Sequence, residues 1–352
     1  MNKKTKIIAG ATLAGLLSAT LCLGGLAYKI KYASCYNQEE KAYLYLNSED
    51  TKDTMLGKLN AAGVNTFGWG FLESVSTFNL HTGRYAIEQG MSILDVFRRL
   101  RNHQQEPVML TIPSLRLSIA PDDQPQPMAL DRLAGIMANS LMADSTAIAT
   151  LLADTASYAS FGLTAQTFPT LFLPNSYEVY WDITPEKLME RMKKEYDNFW
   201  TNERKEKAEA QGLTPVEATI LASLVEEETA NAGEKPMVAG LYLNRLRQGM
   251  LLQADPTVKY AVGDWSLRRV LGIHLQKDNP YNTYRYKGLP PGPLRIPSTA
   301  GIDAVLNAVH HSYIYMCAKE TFDGTHNFAT TYAEHQKNAK RYIKALNERG
   351  IR

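Results

Sequence analysis

Three consecutive glutamates at positions 226 to 228 are the residues of this sequence best suited to acid–base chemistry. A carboxylic acid that remains protonated near neutral pH can donate a proton to a leaving group, and burial among apolar side chains keeps it protonated. An acidic run is more often the solvated end of a helix. The position of each glutamate on its helix must therefore decide between the two interpretations.

The start of that helix is marked by Thr214, Pro215 and Glu217, which form a capping box with proline in the first turn. A second helix is predicted to open at Pro236 and to end at Gly249, a residue that favours a left-handed cap. The two predicted helices meet near residues 229–235.

One apolar face of the first helix leads to a single glutamate. Leu221, Leu224 and Val225 recur at offsets of three and four, and continuing this face reaches Glu228. The two preceding glutamates fall elsewhere, with Glu227 on the flank. The pattern therefore predicts Glu228 as a desolvated general acid.

The segments that follow combine apolar residues with amide, carboxylate, hydroxyl and phenol groups. Residues 251–260 have this mixture, which is expected of a surface that binds a sugar polymer. Residues 281–284 add two phenols and an amide, and the proline-dense residues 288–293 predict a fixed loop. A groove wall for sugar rings and a structural tyrosine-rich turn are both compatible with this pattern.

Five ordered blocks of the C-terminal half resemble one known family, the membrane-bound endolytic murein transglycosylases, or YceG-like family. The blocks are SLVEEETA (223–230), AGLYLNRL (239–246), GMLLQADPTVKYA (249–261), YNTYRYKGLPPGPLRIP (281–297) and HNFATTYAEH (326–335). The resemblance implies cleavage of the bond between N-acetylmuramic acid and N-acetylglucosamine in nascent peptidoglycan. The product would be a 1,6-anhydro end, and glycan elongation would stop there.

The resemblance also assigns candidate site residues. The essential glutamate of the family directly precedes a threonine, and in this chain that residue is Glu228. The predicted substrate-binding residues are Glu226, Asn244, Arg245, Gln253, Asp255, Thr257, Tyr281, Asn282, Thr283, Tyr284, His326 and Phe328. Asn175 stands where an aspartate is common in the family, so its role in binding is left open.

Two other functions remain open on the sequence. The first is a non-catalytic glycan-binding scaffold of the cell-wall synthesis machinery, although this chain keeps the glutamate and its neighbours. The second is a hydrolytic muramidase that uses Glu228 with Asp255, which would add water to the product.

Composition excludes several other classes of protein. The chain has 352 residues, of which 45% are hydrophobic and 21% charged, so it can form real cores. Its net charge of +2 and the lack of a basic stripe argue against nucleic acid as a partner. No phosphate loop, zinc motif or serine-hydrolase elbow is present, so no cofactor and no metal are predicted. The three cysteines suggest free thiols.

The N-terminal segment Ile7 to Tyr28 is uncharged and long enough to cross a bilayer as one helix. A cleaved signal peptide is the alternative, but its apolar region is usually shorter. We therefore expect a single-pass protein of the cytoplasmic membrane, with the catalytic part outside the cytoplasm. Its predicted partners are glycan strands, the membrane and, as a possibility, cell-wall synthases.

The predicted fold class is α+β, in three parts: residues 1–32 as tail and membrane anchor, 33–120 as a small α/β domain, and 121–352 as the catalytic domain. In the small domain, strands are predicted at 42–46 and 83–87, and helices at 51–62 and 92–102. The second half resembles the LysM-type glycan-binding half-domain of the family, and a structural spacer is the alternative. In the catalytic domain, a strand is predicted over 107–117 and one long helix over 184–211.

Overall fold

The computed structural model describes residues 3–118 and 130–350. The chain divides into two compact units. The first comprises Met1–Leu110, Ser140–Met142 and Glu178–Ile183, and the second comprises Thr111–Asn139, Ala143–Tyr177 and Thr184–Arg352. The predicted boundary at residue 120 lies outside the described residues, so the three-part division stays a prediction.

The first unit is a small α/β unit, and both of its predicted strands and both of its predicted helices are confirmed. Its elements are α1 (Lys3–Tyr32), β1 (Ala42–Leu46), α2 (Lys52–Ala61), α3 (Trp69–Val75), β2 (Gly83–Ile87) and α4 (Ile93–Arg101). β1 and β2 pair antiparallel, with Ala42 opposite Ile87. The short helix α3 was not predicted.

The core of this unit explains why α4 forms where it does. Ser92 caps the helix in a capping box with Asp95, which satisfies free amides of the first turn. The apolar face of α4 is buried, and its Phe97 ring lies 5.1 Å from Trp69 and 5.3 Å from Phe78, measured between centroids. Aromatic packing on α3 therefore completes the core.

The predicted membrane-spanning segment lies within α1, so its helical conformation is confirmed. Among the residues that the structure describes, no helix is both long enough and apolar enough to cross a bilayer. The membrane crossing of Ile7 to Tyr28 stays a prediction.

The second unit mixes many helices with short strands, which confirms the α+β class. Its helices are α5 (Asp131–Ala138), α6 (Ser145–Ala153), α7 (Thr155–Ala159), α8 (Pro185–Phe199), α9 (Asn202–Ala210), α10 (Pro215–Glu228), α11 (Lys235–Arg247), α12 (Asp255–Val262), α13 (Gly272–Leu275), α14 (Thr299–Leu306) and α15 (Tyr332–Glu348). A 3₁₀ turn spans Phe168–Leu171.

The remaining strands are β3 (Val108–Ile112), β4 (Leu115–Arg116), β5 (Asn175–Val179), β6 (Arg295–Ile296), β7 (Tyr315–Ala318) and β8 (His326–Ala329). Within the described residues, every sheet has two strands, and the pairs are β1–β2, β3–β5, β4–β6 and β7–β8. The β4–β6 pair aligns Arg116 with Arg295, and β7–β8 is an antiparallel hairpin.

Two elements predicted as continuous in this part of the chain are each broken into two, so these predictions were wrong. The helix predicted over 184–211 is broken into α8 and α9, because Trp200 leaves the helical conformation and Thr201 caps a new helix. The charged pattern continues across this break, so periodicity does not reveal it. The strand predicted over 107–117 is two strands, β3 and β4.

Helix α10 lies at the centre of the second unit. The predicted capping box of Thr214 and Glu217 is present. Every residue from Ala218 to Val225 is buried, and the Ser223 hydroxyl accepts a hydrogen bond of 3.0 Å from the backbone N–H of Leu294. The helix is therefore enclosed on all sides, and a single apolar face describes it incompletely.

Candidate active site

A cavity of about 420 Å³ opens at the C-terminal end of α10. Its walls come from the end of α10, from α11, from the segment that leads into α12, from β7 and β8, and from the start of α15. Six of the predicted site residues line it: Glu228, Arg245, Gln253, Asp255, Tyr284 and His326. The structure thus gathers five of the twelve predicted binding residues around the predicted acid.

Glu228 is the last residue of α10, and its side chain is half-buried in the cavity wall. Burial raises the pKa of Glu228 to about 7. The nearby negative charge of Asp255 acts in the same direction. The C-terminal end of a helix, which has partial negative charge, also favours a protonated carboxyl. Near neutral pH this group can therefore both give and take a proton.

One hydrogen bond fixes the Glu228 carboxyl. The phenol of Tyr242, on α11, donates to Glu228 Oε1 over 2.7 Å. Tyr242 is 1% exposed, and burial raises its pKa well above the ordinary value, so the phenol remains protonated. Its bond favours the ionised form of Glu228 and limits the rise in pKa that burial causes. With Oε1 accepting this bond, the acidic proton belongs on Oε2.

Glu226 lies outside the cavity lining and is held by a different set of partners. Its carboxylate accepts from Lys235 Nζ at 2.7 Å, and from the backbone N–H and the hydroxyl of Ser298 at 3.0 and 2.5 Å. Burial alone would raise the pKa of Glu226, but these bonds outweigh it and the pKa is lowered. A Cβ on Gly301 would come within 2.6 Å of this carboxylate. The cations that face Glu226 are Lys235 at 2.7 Å and Arg295 at 3.6 Å. With its bonds to Ser298, the cap of α14, Glu226 has the position of a structural anchor for that helix.

Glu227 was predicted on the flank of the helix, without a role of its own, and the structure instead gives it a buried position. Its side chain is 2% exposed and accepts from Arg116 Nε at 2.9 Å and from Arg295 Nη1 at 3.0 Å. The β4–β6 pairing places these two arginines side by side. Glu227 is therefore the buried anion of a local ion-pair cluster.

Arg245 forms part of the cavity wall and holds the backbone around it. Its guanidinium donates to the carbonyls of Ile314 and Leu252 at 2.6 and 2.7 Å. The side chain lies below the Tyr315 ring at 5.6 Å from the centroid, and burial lowers the pKa of Arg245. Arg245 thus joins the segment before β7 to the segment before α12.

Three polar groups reach the cavity from Gln253, just before α12, from Asp255 at its first position, and from Tyr284 in the later loop. Gln253 has a positive φ of 50°, uncommon for a residue with a side chain, and its N–H donates to Thr283 O at 3.1 Å. The Tyr284 phenol donates to Asp255 Oδ1 at 2.6 Å, and burial raises the pKa of Tyr284. These contacts hold an amide, a phenol and a carboxylate at the cavity wall.

Several predicted binding residues instead stabilise the walls from behind. Thr257 and Thr283 are buried and share a hydroxyl–hydroxyl bond of 2.8 Å. Asn282 is fully buried, and its amide donates to the carbonyls of Leu275 and Lys277 at 3.0 and 2.8 Å. For these three residues the contacts favour a structural role over a direct contact with sugar.

The other predicted residues outside the cavity lining are Tyr281, Asn244 and Phe328. Tyr281 is buried against Tyr260, with ring centroids 4.6 Å apart. The Asn244 amide donates to the carbonyls of His311 and Tyr313. Phe328 packs 5.7 Å from the Tyr313 ring. All three support the chain segments that shape the cavity.

Sequence reasoning missed more than half of the lining. The missed residues are Leu241, Tyr242, Leu252, Tyr315, Met316, Cys317, Ala318, Tyr332 and His335. Tyr242 lies in the block 239–246 that had been singled out, so a search for a donor to Glu228 on the second helix would have found it. Tyr332 and His335 of α15 likewise lie in the block 326–335 that had been singled out. Tyr315 of β7 has no comparable signal, because its proximity to α10 depends on the tertiary fold.

Comparison with known proteins agrees with this architecture. The chain matches the YceG-like family over residues 44–341. It is 40% identical over 129 residues to an endolytic murein transglycosylase of Bacillus subtilis, which covers 37% of this chain and 35% of that protein. An endolytic murein transglycosylase of Streptococcus pneumoniae is 26% identical over 300 residues, covering 76% of this chain and 51% of that protein.

The chain therefore spans about half, or less, of the length of these relatives. The crystal structure of a YceG-like protein from Listeria monocytogenes aligns with a TM-score of 0.53 at 22% identity, covering 85% of this chain and 99% of that one. This likeness shows a shared fold. Because the family match extends over most of its length, the chain belongs to the YceG-like family.

Proposed function

We propose that this protein is an endolytic lytic transglycosylase that cleaves the bond between N-acetylmuramic acid and N-acetylglucosamine in nascent peptidoglycan. The observation that supports this most directly is Glu228, a half-buried carboxyl with a pKa of about 7 in a cavity of about 420 Å³. The family membership and the names of the relatives support the same substrate.

The reaction needs one group that first gives and then takes a proton. Glu228 protonates the glycosidic oxygen, the bond from C1 of the muramoyl residue breaks, and the N-acetylglucosamine leaves as a free hydroxyl. The muramoyl 6-hydroxyl then closes on C1 and gives its proton to the Glu228 carboxylate, which restores the acid. No water is consumed, and the product is a 1,6-anhydro end.

Tyr242 assists both halves of this cycle. Its phenol donates to Glu228 Oε1, so the carboxyl keeps one orientation while the proton on the other oxygen leaves and returns. The positive charge on the sugar develops near the polar wall that includes Asp255 and Tyr284, and fixed negative charge stabilises such a transition state.

A hydrolytic muramidase is the second candidate, because Asp255 lines the same cavity as Glu228. Such an enzyme would use Asp255 as nucleophile or base and add water. The hydrogen bond from Tyr284 occupies one oxygen of Asp255, so we favour the transglycosylase. The non-catalytic scaffold would leave the raised pKa of Glu228 without a role.

Mass spectrometry of digested glycan tests the proposal. The purified protein is incubated with un-crosslinked glycan strands, and the transglycosylase yields products that are lighter by one water than hydrolytic ones. The Glu228→Gln variant is the control and should give no product. Hydrated ends alone would support the muramidase, and the absence of cleavage would support the scaffold.

The setting of this activity follows from the same proposal. The substrate lies outside the cytoplasmic membrane, so α1 would anchor the chain with both units outside, and cell-wall synthases would be neighbours. The first unit would bind glycan in the LysM manner. Protease added to spheroplasts should then digest residues 40–352, and full protection of that region would contradict this topology.

A further inference from the structure

A second pair of titratable side chains, Glu234 and His326, lies beside the cavity. Glu234 precedes α11, and His326 begins β8. The Glu234 carboxylate accepts from the His326 backbone N–H at 2.6 Å and contacts His326 Nδ1 at 2.9 Å. The side chains are only 12% and 15% exposed. The pair is therefore a fixed and largely buried unit.

The same carboxylate also contacts the end of the helix that bears Glu228. The Thr229 hydroxyl donates to Glu234 Oε2 at 3.3 Å, and Thr229 is the C-cap residue of α10. Glu234 thus links the residue directly after Glu228 to the imidazole of His326.

The bond to Glu234 determines which ring nitrogen of His326 is available. A carboxylate can only accept, so the hydrogen lies on Nδ1. In the neutral imidazole the lone pair is then on Nε2. Within the described residues Nε2 has no protein partner, and His326 lines the same cavity as Glu228. An acceptor nitrogen is therefore available to a molecule in the cavity.

We propose that His326 Nε2 accepts a hydrogen bond from a hydroxyl group of the bound glycan, and that Glu234 is the positioning residue that fixes this tautomer. The inference rests on the proposed function, since it takes the glycan as the ligand. His326 was already among the predicted binding residues, and the inference specifies the ring nitrogen and the direction of its hydrogen bond in the cavity that Glu228 also lines. It also gives Glu234 a role that goes beyond joining α11 to β8.

Two substitutions at His326 separate the two ring nitrogens. His326→Asn keeps a polar atom where Nδ1 contacts Glu234 and removes Nε2. His326→Gln keeps a polar atom near the Nε2 position and loses the contact with Glu234. Both are made in the Glu228→Gln background, so that glycan strands bind without being cut, and affinity is measured by calorimetry.

We expect His326→Asn to bind glycan strands roughly three- to tenfold more weakly than the Glu228→Gln parent, the loss of one hydrogen bond. His326→Gln should retain more of the affinity than His326→Asn. A merely structural pair predicts the reverse order, because only His326→Asn preserves the link to Glu234. Equal affinity of His326→Asn and the parent, at equal melting temperature, would overturn the proposal.

The role of Glu234 has a spectroscopic test that needs no substrate. A glutamine at 234 has one oxygen and cannot accept from both the backbone N–H and Nδ1–H of His326. In Glu234→Gln, ¹⁵N NMR should therefore show a smaller population of the Nδ1–H tautomer of His326. His335, which lines the cavity without contacting Glu234, is the internal control. An unchanged His326 tautomer would contradict the positioning role.

These measurements also separate this inference from the proposed function. If the parent binds glycan strands but the wild type releases no anhydro product, the transglycosylase assignment fails and the His326 contact stands. If the wild type is active and His326→Asn binds like the parent, only the His326 contact fails. If the parent binds no glycan and the wild type releases no anhydro product, both are overturned.

Discussion

At the C-terminal end of α10, neighbouring carboxyl groups lie in two different environments, one on each side of the helix. On one side, Glu226 and Glu227 are 6% and 2% exposed and lie against Lys235, Arg116 and Arg295. On the other side, Glu228 meets the cavity, with a phenol as its direct partner. Each is at least partly buried, so burial alone does not distinguish them.

This difference indicates that the groups in contact with a buried carboxyl determine its pKa. Cations and N–H donors stabilise the ionised form, whereas desolvation without a cation in contact raises the pKa. Lys235 and Ser298 lower the pKa of Glu226, and the single bond from Tyr242 leaves that of Glu228 at about 7. One helix end thus provides two structural anions and one candidate acid.

The largest expected effect is on the cavity side. Glu228→Gln preserves the shape and the hydrogen bond from Tyr242 but cannot transfer a proton, so glycan cleavage should fall by about 10²–10⁴-fold. The melting temperature should stay close to that of the wild type, because the native carboxyl is already half protonated near pH 7. Retained cleavage in this variant would remove Glu228 from the mechanism.

The second-largest expected effect is a loss of stability, on the side of α10 where the carboxyl groups contact lysine and arginine side chains. Glu227→Gln leaves Arg116 and Arg295 facing a neutral amide, which should lower the free energy of unfolding by about 1–3 kcal/mol. Denaturant titration measures it. Activity per folded molecule should be nearly unchanged, and Glu203→Gln, at an exposed i,i+4 pair on α9, should leave the transition in place. Lost activity with unchanged stability would mean that the two sides are not separate.

A third prediction extends the comparison to the loop before β6. Asn282→Ala removes two hydrogen bonds from a buried amide to the carbonyls of Leu275 and Lys277, and should destabilise the protein by about 1–3 kcal/mol. Its folded fraction should cleave glycan normally, since Asn282 does not line the cavity. Asn307→Ala, at an exposed amide on α14, is the matched control for the thermal melts. A defect in turnover at unchanged melting temperature would restore Asn282 to the binding surface.

The smallest predicted effect is a shift in pH dependence. The acid form of Glu228 is required for cleavage, so kcat/KM falls as pH rises through its pKa of about 7. The Tyr242 phenol favours the ionised form of Glu228. Tyr242→Phe should therefore shift the fall in kcat/KM to higher pH by roughly 0.5–1 unit. Tyr260→Phe removes an equally buried phenol elsewhere and should not move it. A shift to lower pH would contradict the assigned direction.

The elements were predictable where local chemistry determines them. The capping boxes of α4 and α10, the serine cap of α14 and the ends of β1 and β2 can be read from neighbouring residues. The break between α8 and α9 could not, because a buried Trp200 ends the helix through tertiary packing.

The sequence identified the candidate acid of the site, but fewer of the residues that surround it. Glu228 followed from the phase of α10 and from the family pattern, but the phase argument placed Glu227 on the helix flank and gave no sign of its burial. The arginines that bury Glu227 lie 111 and 68 residues away in sequence, and no local signal connects them. Polar residues such as Asn282 and Thr283 were assigned to binding because a buried turn and a ligand surface use the same side chains.

The cavity walls have a consequence for the order of events during biosynthesis. Glu228 and His335 line the same cavity but are separated by more than a hundred positions in the chain. A ribosome completes α10 well before it begins β7, β8 and α15, and domains fold from the N-terminal side as they emerge. The nascent polypeptide therefore contains the acid long before it contains the enclosure around it. The cavity around Glu228 is complete only once β7, β8 and α15 have folded against α10.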